Sequence, residues 1–112
     1  MPVPANVDIG LTAVKRDGRV VLSWKGQQPL GGPVFYRIWR SATDTLTCPA
    51  SAGARICNLT MPEVGTTHAA AFTDSPRPGR WVYRIAVAAN WLNDSAYGDP
   101  YLVSRPVSVT IP

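Results

Sequence analysis

Apolar and polar residues alternate with a period of two along most of this chain. Val20, Leu22 and Trp24 are interleaved with Val21 and Ser23, and Tyr36 and Ile38 with Arg37 and Trp39. Tyr83, Ile85, Val87 and Ala89 are interleaved with Arg84, Ala86 and Ala88, and Val107, Val109 and Ile111 with Ser108 and Thr110. Successive side chains of a strand point to opposite faces, so this pattern predicts half-buried strands rather than helices. Turn residues separate the runs. Asp17-Gly18 is a hairpin signal. Pro29, Gly31, Gly32 and Pro33 form one loop, and Ser75-Pro76-Arg77-Pro78-Gly79 forms another. The segment Ser41–Ala54 contains Pro49 and several Ser and Thr, so it reads as loop.

The predicted strands are Val7–Val14, Arg19–Lys25, Val34–Ser41, Arg55–Thr60, Ala69–Thr73, Arg80–Asn90 and Arg105–Ile111. Seven short strands punctuated by turns predict an all-β, antiparallel sandwich. The chain of 112 residues has room for one domain. Residues 1–4 read as a stiff Pro-rich linker and residues 5–112 as the domain, one unit of a longer chain. With 46% hydrophobic and 16% charged residues, the balance is that of a globular protein. No apolar stretch nears the ~20 residues of a membrane helix, so no membrane insertion is expected. Met1-Pro2-Val3-Pro4 lacks the layout of a signal peptide.

Four segments resemble the fibronectin type III family in order and spacing. Pro4-Ala5-Asn6-Val7 with Val20-Val21-Leu22-Ser23-Trp24 resembles its two opening strands. Tyr36-Arg37-Ile38-Trp39-Arg40 resembles the third strand. Phe72-Thr73-Asp74, Pro78-Gly79 and Tyr83–Asn90 resemble the corner and strand that follow, and Ser104-Arg105-Pro106-Val107-Ser108-Val109 the last strand. The resemblance implies a seven-stranded immunoglobulin-like β-sandwich of fibronectin type III type, in which Trp24 is the core tryptophan and Tyr83 the corner tyrosine, its hydroxyl bonded to backbone at the crossover. Two connections, Ala42–His68 and Trp91–Val103, are longer than that family usually has. No Arg-Gly-Asp motif is present, so integrin recognition is not implied.

The net charge of +4 comes from nine Arg and two Lys spread along the chain, without the run or stripe of a nucleic-acid binder. The Arg, Ala, Gly and Pro bias points to a bacterial source. Cys48 and Cys57 lie in the long Ser41–Thr67 segment. With His68 as the single histidine, they cannot complete a closed zinc site. A disulfide or two free thiols remain. The disulfide is the expectation, since it would restrain a loop for roughly 2–3 kcal/mol. It implies an extracellular, periplasmic or cell-surface location.

Catalytic constellations are sparse. Asp17 and Asp74 occupy turn positions where Asp bonds backbone. Asp94 and Asp99 share a loop, and His68 has no nucleophile beside it in sequence. Asn90, Asn93, Asp94 and Asp99 offer oxygen ligands without the spacing of a calcium loop. No metal or cofactor is expected. Asn58-Leu59-Thr60 and Asn93-Asp94-Ser95 fit the N-glycosylation triplet, which is uninformative in a bacterial chain.

If Tyr36, Ile38, Tyr83 and Ile85 face inward, then Phe35, Arg37, Trp39, Val82 and Arg84 share the outer face of one sheet. That face is read either as a contact surface or as a second core covered by the 42–68 segment. Trp91, Tyr97 and Tyr101 in the last long loop could stack on sugar rings or cap the sandwich. The leading expectation is a non-catalytic accessory module of a larger secreted or cell-surface protein, acting as spacer and protein–protein contact. The alternative is a carbohydrate-binding module attached to a secreted enzyme, with a polysaccharide as partner.

Overall fold

A computed structural model describes residues 6–27, 34–44, 61–89 and 100–112. They form eight strands: β1 (Thr12–Arg16), β2 (Arg19–Ser23), β3 (Val34–Ser41), β4 (Glu63–Thr67), β5 (Ala71–Asp74), β6 (Gly79–Ala89), β7 (Pro100–Val103) and β8 (Val107–Ile111). Strands β1, β2 and β5 make a three-stranded sheet in the order β1-β2-β5. The second sheet runs β4-β3-β6-β7, with β8 also paired to β6. All these pairings are antiparallel.

The period-two residues meet between the sheets. Val20 and Leu22 of β2, Tyr36 and Ile38 of β3, Tyr83, Ile85 and Val87 of β6, and Val109 and Ile111 of β8 form one buried cluster with Ile9 and Trp24. Each fully buried aliphatic or aromatic side chain there contributes about 1.5–3 kcal/mol of transfer free energy. Trp24 packs its ring edge-on against Tyr36, with centroids 5.1 Å apart. The Tyr36 hydroxyl accepts a hydrogen bond from the Gln27 backbone N–H at 2.9 Å, which satisfies the polar tip of a buried ring.

Local chemistry sets the turns. Asp17 and Gly18 both have positive φ, 52° and 76°, and Arg16 pairs directly with Arg19. That is the two-residue hairpin whose twist matches the strands it joins. The predicted first strand, Val7–Val14, is divided. Gly10 turns at φ 73°, and its N–H donates to Asp8 Oδ1. Upstream of that break Val7 bridges in parallel to Ser104, beside the five-stranded sheet. Downstream, β1 joins the other sheet, so one short segment stitches the two layers.

Other predicted boundaries shift for identifiable reasons. The expected last strand, Arg105–Ile111, is preceded by β7, so the described residues hold eight strands rather than seven. Both β7 and β8 pair with β6. Between them Pro106 has no N–H to give to a ladder. Ser104 bridges the interruption: its Oγ accepts from the Ile85 N–H at 2.8 Å and donates to the Arg105 carbonyl at 3.0 Å. β4 lies downstream of the predicted strand Arg55–Thr60, which falls outside the described residues. Its sequence Glu-Val-Gly-Thr-Thr has a single large apolar residue, so periodicity does not mark it.

Gly65 of β4 is required by packing. A Cβ at this position would lie 2.5 Å from Cζ and 2.8 Å from Cε1 of Phe72 on β5. Gly65→Ala is expected to cost about 1–3 kcal/mol by overpacking. Thermal unfolding checks this, and Gly65→Ala/Phe72→Leu should recover part of the loss. An unchanged midpoint in the single variant would show that the ring has room to move.

Candidate functional site

The outer face of β3 and β6 is closed. Phe35, Trp39 and Val82 are buried, and Arg84 is only 3% exposed. Trp39, Val82, Ala86 and Val103 form a second apolar cluster with Met61. Of the two expectations for this face, the second core is the one seen, and the exposed contact surface of Phe35, Trp39, Val82 and Arg84 is corrected. The cause lies in the 42–68 segment, whose two described ends bear on it. Met61 joins the cluster, and Asp44 pairs with Arg84. Arg37 stays part-exposed, with Nη1 3.5 Å from Glu63 Oε1 and its guanidinium 5.7 Å from the Phe35 ring centre. His68 lies against the same ring, 6.1 Å between centroids.

Arg84 is a junction rather than a surface cation. Its Nε donates to Asp44 Oδ1 at 2.9 Å and its Nη2 to Asp44 Oδ2 at 2.6 Å, a two-pronged ion pair. Its Nη1 donates to Asn6 Oδ1 at 2.9 Å and to the Ser104 carbonyl at 2.8 Å. One guanidinium thus ties β6 to the N-terminal segment, the end of β3 and the β7–β8 break. Planar geometry with several fixed donors makes arginine suited to such a role.

Tyr83 also differs from the expectation. Tyr83 and Trp24 are both buried, at 0% and 7% exposure. The Tyr83 hydroxyl donates to a side chain, Asp74 Oδ2 at 2.6 Å, rather than to backbone. Arg40 Nη1 donates to the same oxygen at 2.7 Å, and its guanidinium stacks 4.6 Å from the Trp81 ring centre. Trp81 Nε1 donates to the Arg77 carbonyl at 2.8 Å. Asp74 thereby links β5 to β3 and β6 across the layers. Burial raises the Tyr83 pKa well above the ordinary phenol range, and the hydrogen bond to the Asp74 carboxylate and that carboxylate's charge push the same way.

Four of the five described carboxylates are engaged in a turn or in ion pairs: Asp8 with Gly10, Asp44 with Arg84, Glu63 with Arg37, and Asp74 with Arg40 and Tyr83; the fifth, Asp17, sits in the β1–β2 turn. Cys48, Cys57, Trp91, Tyr97 and the oxygen-rich set Asn90, Asn93, Asp94 and Asp99 lie outside the described residues. Tyr101 is described only by its backbone, within β7.

An open surface remains that the sequence reading passed over: the outer face of β1-β2-β5. Cross-strand pairs Thr12↔Ser23, Val14↔Val21 and Arg16↔Arg19 run along it, with Thr73 beside Val21. Val14 is 50% exposed, the large hydrophobic residue most open to solvent among those described. Thr12 and Ser23 share a hydroxyl–hydroxyl bond of 2.9 Å. At the hairpin end Arg16, Asp17, Arg19, Val21 and Thr73 line a shallow concavity of about 480 Å³. A signal for it was present in the sequence: a two-residue Asp-Gly turn places its flanking residues opposite each other.

Comparison with solved structures shows the shared fold. The chain matches a pectate lyase from Pectobacterium carotovorum with a TM-score of 0.55 and 19% identity, over 91% of this chain and 26% of the lyase. It matches a pectate lyase from Erwinia chrysanthemi, solved in complex with tetragalacturonic acid, with a TM-score of 0.54 and 13% identity, over 92% of this chain and 28% of the lyase. The chain thus spans about a quarter of the length of these lyases. No family model matches the sequence, and no curated protein does.

Proposed function

We propose that this chain is a non-catalytic accessory module of the fibronectin type III kind, belonging to a larger secreted or cell-surface protein. It acts as a spacer and as a contact for neighbouring domains. The strand arrangement supports this reading. The first, second and fifth strands form one sheet, and the third and sixth pair in the other, as in immunoglobulin-like sandwiches. The observation that carries the accessory role is one of proportion. Nine-tenths of this chain matches only a quarter of each lyase, so the same fold occurs there as one part of a longer enzyme.

The test is an activity assay on the isolated chain with polygalacturonate, reading the ultraviolet absorbance of unsaturated product. No product should accumulate above the buffer rate. Turnover that scales with protein concentration would overthrow the accessory reading.

A second reading is favoured by the neighbours' identity: a carbohydrate-binding module that holds an attached enzyme on its polysaccharide. Both neighbours are pectate lyases, one of them holding a tetragalacturonic acid. In this reading an exposed face of the module meets the glycan, and the buried face of Trp39 and Arg84 keeps the scaffold rigid.

A further inference from the structure

We propose that the concavity at the β1–β2 hairpin binds carboxylate groups of an acidic polysaccharide, a chain of uronate sugars. The inference rests on the carbohydrate-binding reading above and assigns it a place and a ligand chemistry.

Arg16 and Arg19 face each other in register across the hairpin, and both are exposed. Like charges directly opposite one another disfavour a strand pair. Neither guanidinium makes a hydrogen bond or ion pair with a described residue, in contrast to Arg37, Arg40 and Arg84. Two guanidinium forks on one concavity suit a carboxylate, which accepts paired N–H donors in the plane of the fork. The rest of the surface suits a sugar. Thr73 places a hydroxyl-bearing residue beside the arginines, and the Val21–Val14 pair continues the face as an apolar strip that the C–H face of a pyranose can cover.

Charge density favours a uronate chain over nucleic acid. Duplex DNA carries one negative charge per about 1.7 Å of its axis and is met by a run of cations. Here two arginines line the concavity, and the carboxylate of Asp17 shares it with them. A uronate chain carries at most one charge per ring, so a carboxylate can meet the arginines without crowding Asp17.

Native gel electrophoresis of the chain, with and without dissolved polymer, tests this. The polymers are polygalacturonate, its methyl-esterified neutral form, a panel of neutral glycans, and duplex DNA. Polygalacturonate should retard the protein, and its esterified form should not. R16Q/R19Q should weaken retardation about tenfold, as expected for loss of charge-assisted hydrogen bonds. The control R77Q/R80Q removes the same charge from exposed positions elsewhere and should leave retardation intact. In thermal unfolding R77Q/R80Q should match the parent and R16Q/R19Q should be no less stable than it, since the opposed charges are relieved, which separates loss of binding from loss of folding.

Retardation that survives R16Q/R19Q, or falls equally in R77Q/R80Q, would overturn the site while leaving the carbohydrate-binding reading standing. Binding to neutral glycans alone would do the same. No retardation by any glycan would remove that reading and the inference with it. Stronger retardation by DNA would identify a nucleic-acid surface and overturn the proposal.

Discussion

Arg84→Ala is expected to lower the unfolding free energy by about 3 kcal/mol. Removing one member of a buried ion pair usually costs about 3–5 kcal/mol, because the partner is left without its counter-charge. The lower end applies here, since the Asp44 side chain is 34% exposed and water can reach it. The Ser104 carbonyl and the Asn6 amide oxygen also lose their donor. Total stability of a domain this size is about 5–15 kcal/mol, so the loss is a large share of it. Arg84→Lys keeps the charge but not the fork. A single ammonium lacks the planar spread by which Nε and Nη2 grip Asp44 while Nη1 reaches Asn6 and Ser104, so about half the loss should remain. Urea unfolding measures both variants, and the midpoint should move at constant slope. A change below about 1 kcal/mol in Arg84→Ala would mean that the guanidinium does not hold these segments.

The second large effect is at Tyr83. Tyr83→Ala should cost about 3–5 kcal/mol, as for other large buried aromatic side chains truncated to alanine. Tyr83→Phe isolates the hydroxyl. It should cost about 1.5 kcal/mol, the low end for a hydrogen bond to a charged group, because Asp74 keeps Arg40. The pair also predicts a pH dependence. The phenol is held protonated in the folded state above its ordinary value of 10.0. As pH rises past that value, the unfolded chain releases this proton before the folded one does. Stability from this group is therefore complete below the ordinary value and declines above it. Urea midpoints measured on both sides of that value should fall more steeply for the parent than for Tyr83→Phe. Parallel profiles would show that the hydroxyl is not shielded as described.

Some of this was legible in the residues. Strand β3 has the predicted bounds, Val34–Ser41, and the alternation along Arg80–Asn90 matches β6 closely. Both are central strands, with one face on each apolar cluster, so every second residue is constrained. β4 was not legible, because it is held by backbone pairing to β3 and by the room Gly65 leaves for Phe72. The split of the last strand was not legible either. It needs Ser104 Oγ to take up the Ile85 N–H, a bond between residues 19 apart. The site followed the same division. The Asp17-Gly18 turn carries the opposition of Arg16 and Arg19, although only the hairpin was read from it, whereas the charge on Arg84 did not decide between a contact surface and a second core. Arginine is seldom fully buried unless paired, and its partners come from distant parts of the chain.

Period two assigns each side chain to one face or the other, and that assignment is local, since it follows from the pleat of the backbone. The central strands, the hairpin and the inward set around Trp24 and Tyr83 could therefore be read from neighbouring residues. What lies over an outward face is a different matter, because a pleat carries no information about the layer beyond it. Asp44, Asn6 and Ser104 reach Arg84 across 40, 78 and 20 residues of sequence, and Met61 joins Trp39 by the path of a long connection. Chain folding over those separations made the face of β3 and β6 an interior and left the face of β1, β2 and β5 open to water.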